Sequence, residues 1–107
     1  MTGEALGDLG GVNLAYRAYK RSRATKGPEP TVDGFTPDQQ FFLAEAQWRG
    51  AIVRPEAART SVSVDPHPPG HFRVLGPLSN MPEFEKAFSC KAGDPMVRAE
   101  ADRCSLW

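Results

Sequence analysis

Proline and glycine constrain this chain more than any other feature of its sequence. Ten of each stand among 107 residues, and every proline fixes φ and removes a backbone donor. Punctuation this dense predicts long connections between short elements rather than a sheet of regular strands. The run VDPHPPGH at 64–71 holds three of the prolines and is expected to be a loop, because proline also bars the residue before it from helical backbone. A chain of this length makes one domain. Folded alone, it buries only about two-thirds of its unfolded surface, which leaves a modest stability margin. The expected fold is mainly α: a few helices joined by long Pro/Gly-rich loops.

Apolar spacing places those helices. Leu6, Leu9, Val12, Tyr16 and Tyr19 fall at three- and four-residue steps, so a helix is expected from about Gly3 to Lys20. Gly10 and Gly11 inside it cost about 1 kcal/mol each relative to Ala, a cost that makes sense where another group approaches closely. After a loop over 24–35, Thr36 reads as an N-cap, Pro37 as the first helical residue and Gln39 as the third residue of a capping box. FFLAEAQW follows, apolar almost all round, so burial on more than one side is expected. Pro55 opens a weaker helix over PEAARTSV. Phe72, Arg73 and Val74 allow at most one short strand. Asn80 is a candidate cap for a helix over MPEFEKAF, with Glu83 in its first turn and Phe84 and Phe88 on one face. The tail reads as irregular up to Trp107.

Thirteen basic and thirteen acidic residues cancel, so the balance predicts no nucleic-acid partner. Locally, Arg17, Lys20, Arg21, Arg23 and Lys26 form a basic cluster beside Tyr16 and Tyr19. Such a cluster can contact phosphates, or it can simply complement the dipole at the end of a helix. No apolar run approaches the ~20 residues that span a bilayer, and MTGEALGDLGG lacks the regions of a signal peptide. Cys90 and Cys104 cannot make a four-ligand metal site by themselves. They can bridge each other, pair elsewhere or stay reduced.

Four residues stand out chemically. Glu4 and Asp8, four apart near a helix start, share a face. Carboxylates so placed can serve a metal, one as ligand and one holding a ligand histidine in its tautomer; equally, they can favour the dipole and face water. His67 and His71 are also four apart, yet Pro68, Pro69 and Gly70 between them rule out a helical HExxH site. A loop His67 followed by Arg73 can instead donate hydrogen bonds to a developing oxyanion and to a substrate carbonyl, or both can be ordinary surface residues.

Longer blocks decide between these readings. Gly3 to Gly11, GEALGDLGG, resembles the motif G-E-N-x-A-D-x-G-G of the neprilysin and endothelin-converting-enzyme family of zinc metallopeptidases. DGFTPDQQFFLAEAQ, RPEAAR, DPHPPGHFRVLGPLSNMPEFEKAFSC, the GDPM step and a final C-x-x-W recur in the family's order, from Gly3 to Trp107. The resemblance implies the C-terminal part of a larger zincin-type catalytic domain. It puts the third zinc ligand on Glu4 and the acid that orients a zinc-binding histidine on Asp8. It also puts the histidine that stabilises the tetrahedral intermediate on His67 and the carbonyl-binding arginine on Arg73. Cysteines matching Cys90 and Cys104 bond to upstream partners in extracellular members. The motif's Asn is Ala5 here and its Ala is Gly7, changes that remove no ligand.

The function so implied is hydrolysis of peptide bonds in small peptides, with zinc as cofactor in the intact enzyme. The HExxH helix, which brings two ligands and the general base, is absent from these 107 residues and is expected upstream. The chain alone is therefore expected neither to hold zinc tightly nor to cleave peptides. Its expected partners are the upstream part of the same domain and, in the intact enzyme, a peptide. Apolar faces around FFLAEAQW and FEKAF are expected to stay exposed and to favour self-association. An extracellular, periplasmic or membrane-anchored parent is implied by the resemblance only. The alternative is a stand-alone, non-catalytic binding or scaffold module derived from a peptidase.

Overall fold

A computed structural model of the chain describes residues 1–106; the Trp107 that ends the C-x-x-W motif lies outside them. Among the described residues there are five α-helices, one short 3-10 turn and no strand. Helix α1 spans Thr2–Lys26 and ends on Gly27, whose φ of +81° turns the chain away. Only glycine adopts that angle without strain. Asp33 and Gly34 also have positive φ, and they form the tight turn that pairs Val32 with Phe35.

Helix α2 spans Pro37–Trp48 and starts as the sequence requires. The Gln39 backbone N–H donates to Thr36 Oγ1 at 3.3 Å, and the Thr36 N–H donates to Gln39 Oε1 at 3.0 Å. Gln39 also donates through Nε2 to the Ala87 carbonyl at 3.0 Å, so the capping residue ties α2 to the chain's C-terminal third. The core joins α1 to the later helices: Leu9, Val12, Tyr16, Phe42, Leu78 and Met81 are buried. Aromatic contacts extend it, with Tyr16 stacked on Phe42 at 5.2 Å and Phe42 edge-on to Phe84 at 5.5 Å. Tyr16 donates its hydroxyl to Asp38 Oδ2 at 3.0 Å.

Helix α3, Pro55–Val64, buries no residue. Helix α4 spans Gly70–Ser79 and packs along α1. It replaces the short strand expected at 72–74. The run of loop prolines ends at Pro69, whose carbonyl accepts from Phe72 and Arg73 at 2.9 and 3.2 Å and so begins a helix. Val74 and Leu78, one turn apart, then face the core; tertiary packing outweighs the strand preference of Phe and Val. The Pro/Gly-rich loop is accordingly shorter than expected, ending before Gly70.

Asn80 does not cap the following helix. Its Nδ2 donates to the Gly76 carbonyl at 2.7 Å, and its Oδ1 accepts from the Cys104 N–H at 2.8 Å. It closes α4 and pins the tail. Helix α5, Pro82–Ala87, starts on Pro82 with Met81 as its cap, because a first-position proline has no N–H that needs a partner. Phe84 and Phe88 share a face as expected, 5.0 Å apart.

Burial of α2 is one-sided. Phe42 is covered, whereas Trp48 is 63% exposed. The exposed apolar surface is thus not at FEKAF, whose phenylalanines pack on the core; it includes Trp48, Ile52, Val53, Val62 and Val64, with Leu14 and Phe72 among others elsewhere. Of the glycine pair in α1, Gly10 is buried, while a Cβ on Gly11 would meet open space. No helix among the described residues is long and apolar enough to cross a membrane.

Candidate active-site segment

The first two turns of α1 present Glu4 and Asp8 on the side facing residues 65–73. Asp8 is the better buried, its side chain 9% exposed. Arg73, on the first turn of α4, grips it at two points: Nε donates to Oδ2 at 2.7 Å and Nη2 to Oδ1 at 2.8 Å. Arg49, at the C-terminal end of α2, donates its Nη2 to the same Oδ1 at 3.0 Å. One carboxylate therefore joins three helices. The Arg73 hydrogen bonds hold the Asp8 carboxyl below the usual carboxylate range; burial opposes them, and the charges of Arg73, Arg49 and His67 add to them. The same pairing raises the Arg73 guanidinium above its ordinary value.

His67 sits beside this tie, in the loop between α3 and α4. Its Nδ1 lies 2.7 Å from Asp65 Oδ1, and that oxygen also accepts the His67 backbone N–H at 2.9 Å. Its Nε2 lies 3.2 Å from Glu4 Oε2. Both ring nitrogens thus face carboxylate oxygens, and both contacts are hydrogen bonds only when each nitrogen carries a proton. The His67 backbone N–H, and then its ring, lower the Asp65 carboxyl. Glu4 and His67 remain nearly half exposed.

All four residues singled out in the sequence come together: Glu4 against His67, and Asp8 against Arg73. His71 does not join them; it lies at the start of α4 with its ring 5.3 Å from Phe72. The view that both acids merely face water holds for Glu4's exposure and fails for Asp8. Two members were missed. Asp65 had a legible signal, an acid two residues before the histidine whose N–H it accepts. Arg49 had none, since 41 residues separate it from Asp8. His67 and Arg73 line a cleft of about 440 Å³, walled by Trp48, Arg49, Val53 and Val62.

Two of the cations in the basic cluster of α1 are paired with acids. Lys20 pairs with Asp38 at 3.1 Å and Arg23 with Glu29 at 2.7 Å.

Residues 1–104 match the sequence model of peptidase family M13. The chain belongs to that family. It is 40% identical over 107 residues to neprilysin-2 of Drosophila melanogaster and 41% identical over 108 to human endothelin-converting enzyme 1. Each alignment takes in 98% of this chain and 14% of the relative. The zinc metalloprotease Zmp1 of Mycobacterium tuberculosis has the same fold over the matched part. The TM-score is 0.90 at 35% identity, covering 98% of this chain and 16% of that one. The mainly helical architecture expected from the sequence is that of an M13 zinc-protease segment, and this chain spans about one-seventh of its relatives' length.

Family M13 implies zinc. Among the described residues, no group of three or more His, Cys, Asp or Glu side chains could hold a metal ion. The donor set fits the metal only in part. Glu4 is a nearly half-exposed carboxylate, and the described residues bring no further set of donors for a three-ligand catalytic site around it.

Proposed function

We propose that this segment forms one wall of a zinc-dependent metalloendopeptidase site acting on small peptides, with Glu4 as a metal ligand. Bound zinc would supply Lewis-acid polarisation of a peptide carbonyl and of a water. The chain's own residues do the rest of the work ascribed to this wall. Asp8 accepts a hydrogen bond from a histidine ligand outside the segment and holds its tautomer. Asp65, on Nδ1, fixes the His67 ring so that Nε2 points toward Glu4, where it can donate to the oxygen of a tetrahedral intermediate. Arg73 spends Nε and Nη2 on Asp8, which leaves Nη1 for a substrate carbonyl.

The observation that carries this reading is the 3.2 Å contact between Glu4 Oε2 and His67 Nε2. It brings Glu4 beside His67, although 63 positions separate them in the sequence, and that proximity supports the reading.

Grafting this segment in place of the matching part of human endothelin-converting enzyme 1 tests it. The chimera should bind zinc and hydrolyse peptides. Glu4→Gln should lose the metal, while His67→Phe should keep it and lose turnover by about 10²–10³-fold. A folded chimera whose Glu4→Gln variant retains zinc and activity would overturn the reading. The 107-residue chain alone should hold no stoichiometric zinc, because one carboxylate falls short of the required ligand number.

A further inference from the structure

Asp8 has a second cation that the proposed site does not need as a substrate contact. Arg49 is 14% exposed and reaches Oδ1 with Nη2 at 3.0 Å. Its guanidinium carbon lies 3.6 Å from the centre of the Trp48 ring, a cation–π stack. Its Nε is buried and has no hydrogen-bond partner. A buried, unpaired N–H is costly, so a shorter or apolar residue would be the easier choice if only packing mattered. The backbone is held as well. A Cβ on Gly70, at the start of α4, would come within 3.3 Å of the Arg49 carbonyl, so the end of α2 and the start of α4 are in close approach.

Hydrogen-bond geometry gives this arrangement a purpose. Oδ1 already accepts from Arg73 Nη2 and takes Arg49 as its second donor, which fills it. Oδ2 accepts only Arg73 Nε and keeps one lone pair free. With Oδ1 held from two helices, the carboxylate cannot turn about its Cβ–Cγ bond. We infer that Arg49 is a positioning residue: by filling Oδ1 of Asp8 it fixes the carboxylate plane, keeps Arg73 in two-point contact, and directs any further donor to Oδ2. The inference rests on the proposed site only in assigning that further donor to a ligand histidine. The tie itself belongs to this chain.

The test uses the full 107-residue chain and nuclear magnetic resonance of its arginine Nε–H groups. In the wild type, the Arg73 Hε should exchange slowly with water. In Arg49→Met it should exchange at least tenfold faster, while backbone amides of Phe42 and Leu78 keep their protection. Arg49→Lys should recover little of the loss, because an ammonium lacks the planar fork and the Trp48 stack. A merely structural Arg49 would instead speed Arg73 Hε and the core amides together, and that result overturns the inference. So does an Arg73 Hε rate within twofold of wild type. If Arg49→Met fails to fold, Arg49→Lys decides by the same criterion. Failure of the zinc chimera with the Arg73 effect intact would remove the peptidase reading and leave the tie standing. The reverse outcome would remove the tie alone.

Discussion

Replacing Asp8 with asparagine should reveal how much the chain depends on one carboxylate. The side chains concerned are 9%, 14% and 17% exposed for Asp8, Arg49 and Arg73, so solvent screens them little. Removing one partner of a buried ion pair costs about 3–5 kcal/mol, because a charge is left uncompensated. Asparagine keeps the shape and one acceptor oxygen, and both guanidiniums retain a path to water, so the lower end applies: about 3 kcal/mol. A domain of this size has roughly 5–15 kcal/mol in total, so Asp8→Asn should remove a fifth or more of it. Urea unfolding followed by far-ultraviolet circular dichroism reads the change as a shift of midpoint at constant slope. Glu4→Gln is the control. Its contact with His67 is nearly half exposed and should be worth at most about 0.5 kcal/mol. Acid provides an independent reading. The Asp8 carboxyl is held below its ordinary value of 3.8, so its contribution is complete above about pH 5 and drains as pH falls through its folded value. Asp8→Asn should flatten that acid limb. An Asp8→Asn variant no less stable than Glu4→Gln, with the acid limb unchanged, would refute the account of the buried tie.

Three further outcomes follow from the core. Phe42→Ala empties the most enclosed side chain, 1% exposed, and should cost about 3–5 kcal/mol in the same urea experiment. Thr36→Ala removes the acceptor for the Gln39 N–H and should cost about 1 kcal/mol, with helix loss confined to α2 by amide exchange. Burial and then Asp38 raise the Tyr16 hydroxyl, and burial also raises Tyr19. Their neutral forms favour folding, so this stability is complete below about pH 10 and is lost as pH rises further. Phenolate absorbance should therefore appear late and together with unfolding; midpoints near pH 10 for both tyrosines would contradict their burial.

What the sequence revealed and what it hid divide along physical lines. Local hydrogen-bond chemistry was legible: Thr36, Pro37 and Gln39 specify the start of α2 without help from distant residues. Periodicity found α1, although it stopped six residues short of Lys26, where the exposed last turns carry no apolar stripe. Helix α4 was hidden because Pro68 and Pro69 suggest that the loop continues, while its helical signal, Val74 to Leu78, is weak until α1 is there to bury it. Asn80 closes α4 rather than opening α5; its cap chemistry suits either end, and Pro82 next to Met81 is the cue that decides. In the site, Glu4 and Asp8 were joined by helix spacing. Their approach to His67 and Arg73 came from the family blocks, since spacing carries no information across a loop. Arg49 was invisible for the same reason: only tertiary structure brings the end of α2 to Asp8.

The two halves of the candidate site differ in how they are held, and the difference suits the proposed roles. Asp8, Arg49 and Arg73 are locked by charged hydrogen bonds in a mostly buried setting, where such bonds are strong. Glu4, His67 and Asp65 are all nearly half exposed, where an ion pair contributes little, and Asp65 holds the ring more closely than Glu4 because its Oδ1 takes both the His67 backbone N–H at 2.9 Å and Nδ1 at 2.7 Å. A carboxylate meant to meet a metal has to be free to exchange partners, whereas the groups that aim a ligand or a carbonyl must be rigid before either arrives. Beyond them α3, ten residues long with none buried, is a helix that water alone would leave marginal. Val62 in α3 and Val53 just before it, each 55% exposed, form the outer wall of the cleft. Fixed geometry is concentrated at the Asp8 tie, and the surface loosens at α3, where no side chain is buried.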